Sequence, residues 1–437
     1  ANDSAVGVYA VNGSKVNNSG EISVGGNKSI GILGLSYRKD SANNLVVNEF
    51  GAAAGQGDVT VTTQSGSNIT MDGTEAVGIY VENNDSDAHT VNATNNGTIT
   101  MSGVKAVGMA AKNFGSLTNG SAGKIDITAD QGVGMFRATF GSMVNDGTIN
   151  IGDSSSESVI RIGMFTQDDN VSILNNNTIN AGKNSYAIYG KNVRLTGASV
   201  LNIGDNGVGV FSKATTNLPT KNIQIQSGAT FNIGNDQAVG VFTENGTGGI
   251  RVEDLGSNMN VGVNSYGYVF KGTGTTFTNT NTGTVSLRDR SVYLYSTDAG
   301  GNITNNAALT STANQTYGLY SSGTVTNNAN IDFNTGIGNV GIYHTGGGSG
   351  ATNNAVITVG ASDPSTNRYA IGMAAGFNGN ATKSAFIGKV VNEGTINVNG
   401  SGSIGMYGTQ SGTEVYNGTP TVTTATINLN SDGAGGM

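Results

Sequence analysis

Catalysis in this chain would have to rest on hydroxyls, carboxylates and very few imidazoles. The sequence has 437 residues, no Cys, no Trp and two His, His89 and His344. A Ser-His-Asp triad would have to recruit one of those rings. Gly152-Asp153-Ser154-Ser155 sets a hydroxyl beside a carboxylate, but nothing in the sequence ties a His to it. Glycoside hydrolysis needs two carboxyl groups at a defined separation. Asp168-Asp169 and Asp85-x-Asp87 are the closest local pairs. Both lie beside Asn and Ser, where a carboxylate ordinarily serves a solvated turn. The Ca²⁺-binding phrase Gly-Gly-x-Gly-x-Asp is missing, as is any EF-hand loop, and without Cys there are no thiolate sites. Gly346-Gly347-Gly348 lacks the strand-to-helix context of a phosphate cradle. These residues predict no catalytic centre, no metal and no cofactor.

Side chains suited to contact are easier to find. Tyr37, Arg38, Lys39 and Phe50 gather between Ser36 and Gly57, where neighbouring units carry mainly Asn, Ser and Gly. Aromatic and Arg side chains are enriched at binding hot spots, so these four are the candidate ligand-binding residues. The plainer reading of the same stretch is a solvated excursion. Shorter departures are Glu82 to Ala88, Ser212 to Lys221 and Gly360 to Arg368. Exposed Tyr rings would suit sugar stacking, although most Tyr here sit in a repeated phrase where core or corner packing is expected.

The elements that position these groups follow from composition and repetition. There are 69 Gly and 3 Pro, and charged residues make up 11%. Ordinary domains carry about 7% Gly and roughly 25% charged residues. Scarce helix formers argue against a helical protein, and the Gly residues have no collagen period. Net charge is −8 and no basic stretch occurs, so a nucleic-acid partner is excluded. Apolar runs are too short for a transmembrane helix.

One phrase returns throughout: an aliphatic residue, Gly, an aliphatic residue and an aromatic. It reads Val6-Gly7-Val8-Tyr9, Val133-Gly134-Met135-Phe136, Val208-Gly209-Val210-Phe211 and Ile404-Gly405-Met406-Tyr407, with other copies between. Most spacings run from 22 to 33 residues, and the interval from Gly31 to Gly78 is 47. A second phrase lies between copies, as in Gly97-Thr98-Ile99-Thr100-Met101 and Gly147-Thr148-Ile149-Asn150-Ile151. A third pairs an aliphatic residue with Asn, as in Val16-Asn17 and Val144-Asn145. Each unit thus holds three short segments of period-two alternation separated by turn residues.

No unit of that size can bury its own apolar face, so units must stack, each strand pairing with its copy in the next. Three strands per coil make an all-β, right-handed parallel β-helix, the hand following from parallel crossovers. About fifteen coils at ~4.8 Å would give one elongated rod of roughly 70 Å spanning residues 1–437, with the two His more than ~40 Å apart. Ile, Val, Met and the aromatics are expected inside, with Thr, Asn and Ser facing water. The Gly of the first phrase either adopts φ > 0 or leaves room in a tight corner, and packing is the favoured role. Asn17, Asn145, Asn175, Asn305, Asn327 and Asn353 are expected to stack as turn residues bonding their own backbone. A propeller blade would need ~40–50 residues, and independent sandwiches would not repeat one phrase per three strands.

Asn96-Gly97-Thr98-Ile99-Thr100 with Ala106-Val107-Gly108-Met109, and Glu393-Gly394-Thr395-Ile396-Asn397 with Ile404-Gly405-Met406-Tyr407, resemble the passenger region of large Gram-negative autotransporters. They are especially similar to the giant fusobacterial adhesins of the RadD type. The likeness covers essentially the whole chain and is specific for architecture more than for ligand. Gly152-Asp153-Ser154 also resembles the Gly-Asp-Ser phrase of serine-protease passengers, but the Gly-Ser-Pro that follows there is missing. The resemblance implies an extracellular passenger at the bacterial cell surface, anchored through a C-terminal outer-membrane β-barrel absent from this chain. It implies adhesion to a host-cell or bacterial surface receptor, protein or glycan, with roles in coaggregation, biofilm and virulence. The chain begins directly in the repeat, as a fragment of a longer passenger would. Alternatives are a carbohydrate-active β-helix enzyme and a self-associating spacer. Far-UV circular dichroism should be dominated by β signal; helix above roughly a fifth, where ordinary domains average about a third, would contradict three strands per coil.

Overall fold

The computed structural model describes residues 3–36, 57–83, 89–113, 115–214, 221–245, 249–272, 274–280, 283–297, 299–346, 350–380 and 382–437. Strands are mostly four to seven residues long, because each phrase supplies only two or three inward apolar residues before a turn. In Thr148–Ile151, Ile149 and Ile151 are buried while Thr148 and Asn150 are half-buried. That is the period of two expected of a strand with one wet face. The same positions align from coil to coil, as Ile99, Ile125, Ile149 and Ile179 do. Ladders between named strands are parallel, three strands per coil, and the architecture is a right-handed parallel β-helix.

Two compact units make up the chain, residues 1–211 and 212–437. In the first unit, one sheet contains Val77–Asn83, Val107–Lys112, Val133–Arg137 and Ile162–Phe165. A second contains Val91–Asn95, Ser116–Asn119, Gly141–Asn145 and Val171–Asn175. A third contains the Ile-rich strands described above. The second unit repeats this plan, but its third ladder stops at Val285–Leu287 and a new one opens at Leu309–Thr310. Among the described residues the helix content is a single 3-10 turn, Pro364–Thr366, inside the expected loop at 360–368. Asp363 caps it by accepting the Ser365 amide at 3.1 Å, and Pro at the first position has its φ preset.

The recurrent Gly is a packing residue. Gly134 and Gly341 are not in the left-handed region. A Cβ on Gly134 would lie 2.5 Å from the Gly163 carbonyl oxygen, and one on Gly341 would lie 2.6 Å from that of Gly372. The left-handed residues are in the turn before the phrase: Glu75, Lys105 and Gln131 each have φ near 60°. Their strain is offset by amide bonds to the next coil, from Glu75 to Val104 O at 2.8 Å and from Lys105 to Asp130 O at 2.9 Å.

At the end of the second-sheet strands, Asn residues stack inside. In the first unit, Asn95, Asn119, Asn145 and Asn175 are linked amide to amide at 2.7–2.9 Å. In the second, Asn279, Asn305, Asn327, Asn353 and Asn392 continue likewise at 2.7–2.9 Å and end on the exposed Asn417. Each buried amide is thereby satisfied. Bonds to local backbone, such as Asn305 Nδ2 to Ala307 O at 2.9 Å, accompany the stack. Asn17 is a correction: it is exposed, and Asn18 holds the equivalent register position opposite Thr63. One more substitution bears on this row. Asp254 precedes Asn279 in register and is caged by the Gly256 and Ser257 amides, the Ser257 hydroxyl and the Tyr268 phenol at 2.5–2.9 Å. Burial, reinforced by the Asp254 charge, pushes the Tyr268 and Tyr293 phenols far up.

Ile149 is fully buried, so Ile149→Asp is expected to cost about 3–5 kcal/mol by burying an unpaired charge. Asn119→Leu leaves the Asn145 carbonyl without its donor from the stack and should cost about 1–3 kcal/mol. Urea unfolding of each variant beside the parent measures both, and unchanged midpoints would refute the register.

Candidate functional site

The four contact residues expected from the sequence, Tyr37, Arg38, Lys39 and Phe50, lie outside the described residues, as do Asp85 and Asp87. The flanks of that stretch meet: Ser36 Oγ donates to Gly57 O at 3.1 Å. The described catalytic candidates are engaged by local backbone and side-chain partners. Ser154 Oγ accepts the Arg161 amide at 3.1 Å and lies 2.9 Å from Ser185 Oγ. Asp153 accepts the Lys183 amide at 2.7 Å. Asp168 accepts the Asn170 amide at 2.7 Å, whereas Asp169 pairs with Lys191 at 2.6 Å. The two adjacent acids thus act on separate partners. Among the described residues no group of three or more His, Asp or Glu gathers as a metal site would.

The two His have local partners as well. His89 Nδ1 lies 3.8 Å from the exposed Asp58 carboxylate. The Thr90 amide, with smaller help from its hydroxyl and His89, holds Asp58 below the usual carboxylate range. His344 is buried, and its Nδ1 accepts the Lys389 amide at 3.1 Å. Its Nε2 therefore carries the proton, donated to Gly323 O at 3.0 Å. Burial lowers the pKa of this ring, and the Gly323 carbonyl offsets part of that effect.

The outer face of the first sheet is where the structure departs most from expectation. The phrase aromatics do not fill the tube. In Val133–Arg137, Gly134 and Met135 are buried in succession, and Phe136 falls on the outside. The same pattern recurs in Val77–Asn83 and Tyr317–Ser321. Outward rings therefore line up at coil spacing. In the first unit, Phe136, Phe165, Tyr189 and Phe211 follow one another with centroids 4.8–5.5 Å apart. In the second, Tyr295, Tyr320 and Tyr343 do so at 4.8–4.9 Å, and Tyr407 is 44% exposed. Leu33 is an exception at this register position. It is buried with Leu35 in a cluster that includes Val6, Val11, Ile30 and Tyr80. Interior aromatics come from elsewhere, including Phe231, Tyr268, Phe270, Phe277 and Phe333.

The first-sheet row also carries alternating aliphatics, such as Val107, Val133 and Ile162. The outer positions of the third sheet in the first unit are polar instead. Asp126, Asn150, Asn180 and Asn202 are chained there at 2.6–2.7 Å. One exterior face is thus aromatic and another amide-rich. In the second unit a groove of about 540 Å³ opens beside the aromatic row. Tyr295 and Tyr320 form part of it, and Phe386 and Ile387 of the hairpin after Gly376 form another part.

Comparison with known proteins adds a partial match. Residues 1–139 match the family model of the BigA third pectate lyase-like domain. No curated protein matches the chain. Two solved structures similar to it are variants of the catalytic domain of a GH87 α-1,3-glucanase in complex with nigerose. Identities are 12% and 11%, and TM-scores 0.20 and 0.19. Each match covers 98% of this chain and 64% of the other, so the chain spans less than two thirds of those domains. Likeness at that level assigns no activity.

His344 makes a pH test available. Its folded pKa lies below the ordinary 6.5, so the unfolded chain binds the proton more readily. Stability from this residue should be complete above about pH 6.5 and decline as pH falls below it. Chemical denaturation at about pH 7.5 and about pH 5 should show a drop for the parent that His344→Asn diminishes. An equal drop in both proteins would mean that the ring does not titrate as described.

Proposed function

We propose that this chain is a non-enzymatic segment of a bacterial surface adhesin, an autotransporter passenger that presents the aromatic face of its first sheet to a receptor. The outward ring row is the observation that carries this reading. The rings are half-buried against one another and turn their remaining surface outward in file, and aromatic side chains are enriched among residues that dominate binding energy. The match over residues 1–139 fits an adhesin-like or autotransporter-like passenger, and the repeats resemble fusobacterial RadD-type adhesins. In this reading a C-terminal outer-membrane β-barrel anchors the passenger, and the β-helix stands outside the cell. Its partner is a protein or glycan on a host cell or another bacterium.

The test uses the purified 437-residue chain on epithelial cells and on a panel of bacterial cells, read by flow cytometry. Binding is expected, and Phe136→Ser with Phe165→Ser should weaken it roughly tenfold if the first unit's row is engaged, as loss of a hot spot would. Failure to bind any surface would demote the segment to a spacer. Products released from polysaccharides would point instead to a carbohydrate-active enzyme, and clumping of expressing cells to self-association.

A further inference from the structure

The groove beside the aromatic row of the second unit goes further than a general contact surface, because its lining specifies a ligand class. We infer that it binds a neutral oligosaccharide; this rests on the adhesin reading and deepens it. Three observations lead there. First, among the described residues no Asp, Glu, Lys or Arg lines the groove, so those residues offer nothing to balance a charged ligand. Second, its walls combine ring faces with hydroxyls. The Tyr295 and Tyr320 rings lie 4.9 Å apart at 39°, and Phe386 faces them from the hairpin with half its surface exposed. Sugar rings offer C–H faces to aromatics and hydroxyls to polar groups, which suits amphipathic walls of this kind. Ser322 supplies an unused polar atom, for its Oγ is buried and has no hydrogen-bond partner among the described residues. Buried hydroxyls ordinarily find a partner, and a ligand hydroxyl would provide one.

Third, the groove is closed to peptide capture by strand addition. Strand addition needs an unpaired sheet edge. Val292–Ser296 pairs with Tyr266–Gly272 on one side and Tyr317–Ser321 on the other. Tyr317–Ser321 in turn pairs with Val340–His344. Neither strand offers an extended peptide a free edge. The volume of about 540 Å³ falls within the roughly 300–1,000 Å³ of small-ligand sites. The hairpin wall is held in place rather than loosely apposed. The Tyr343 phenol donates to Gly376 O at 3.0 Å, and Phe377 and Phe386 exchange backbone bonds at 2.7 and 2.9 Å.

The experiment titrates the full chain by isothermal calorimetry with maltohexaose, cellohexaose, laminarihexaose and mannohexaose. Oligogalacturonate and a heparin octasaccharide serve as anionic probes. At least one neutral probe should bind, at least roughly tenfold more tightly than either anion. Its affinity should barely change between ~0.05 and ~0.5 M salt, because no ion pair forms. Phe386→Ala, at an exposed hairpin position, should leave the melting temperature unchanged and weaken binding roughly tenfold. Asn180→Ala, on the amide-rich face of the first unit, should leave the affinity unchanged. No binding by any neutral probe, preference for an anion, or full affinity in Phe386→Ala each overturns the assignment. Cell binding without glycan binding would overturn the groove and leave the adhesin reading standing; glycan binding without cell binding would do the reverse.

Discussion

Everything in this protein depends on one constraint: each coil must match the register of its neighbours. A single coil has too little apolar surface to fold alone, and the backbone groups of its strands find their partners in the coils on either side. Register is therefore held at every inward position. The Ile column of the third sheet, the Gly close approaches of the first and the Asn stack of the second are three expressions of it. A side chain too large at Gly134, or a polar one at Ile149, would disturb two interfaces at once.

Because the interior is so constrained, chemical variety is pushed outward or handled by local compensation. Asp254 shows the second route. Its position beside the Asn279 register would leave a carboxylate inside the tube, and four donors neutralise the penalty. Arg137 is a related case, fully buried, with its guanidinium bonded to the Asn113 and Phe140 carbonyls. Burial lowers its pKa to about 10. Both groups are held by backbone or neighbouring side chains, which is the signature of structural use.

The outward route produces the surface of interest. Rings that recur at this register position in successive coils stack because parallel pairing places equivalent residues side by side at about 4.8 Å. The row is thus a consequence of the same register that fills the core. The hairpin after Gly376 adds a second wall at one place along it. A uniform surface becomes a bounded groove there, and the lining residues can specify a ligand class.

The sequence by itself determined the β-helix, the three strands per coil and the inward role of residues such as Ile149. Those follow from a period of two and a repeat that no isolated unit could bury. It also pointed to packing as the reason for the recurrent Gly. The direction of the phrase aromatics was decided only by tertiary structure. Plain alternation from Val133 would send Phe136 inward, but Gly134 and Met135 are buried consecutively, and the count slips by one. That slip arises because Gly134 lies against the carbonyl of Gly163 in the next coil, a contact between residues far apart in the chain. The same holds for Asn18 taking the stack position over Asn17, since register against Thr63 fixes which of two adjacent amides faces in. The groove was equally illegible, for it joins Tyr295 to Phe386. No local pattern records that the intervening coils bring those two rings to one groove.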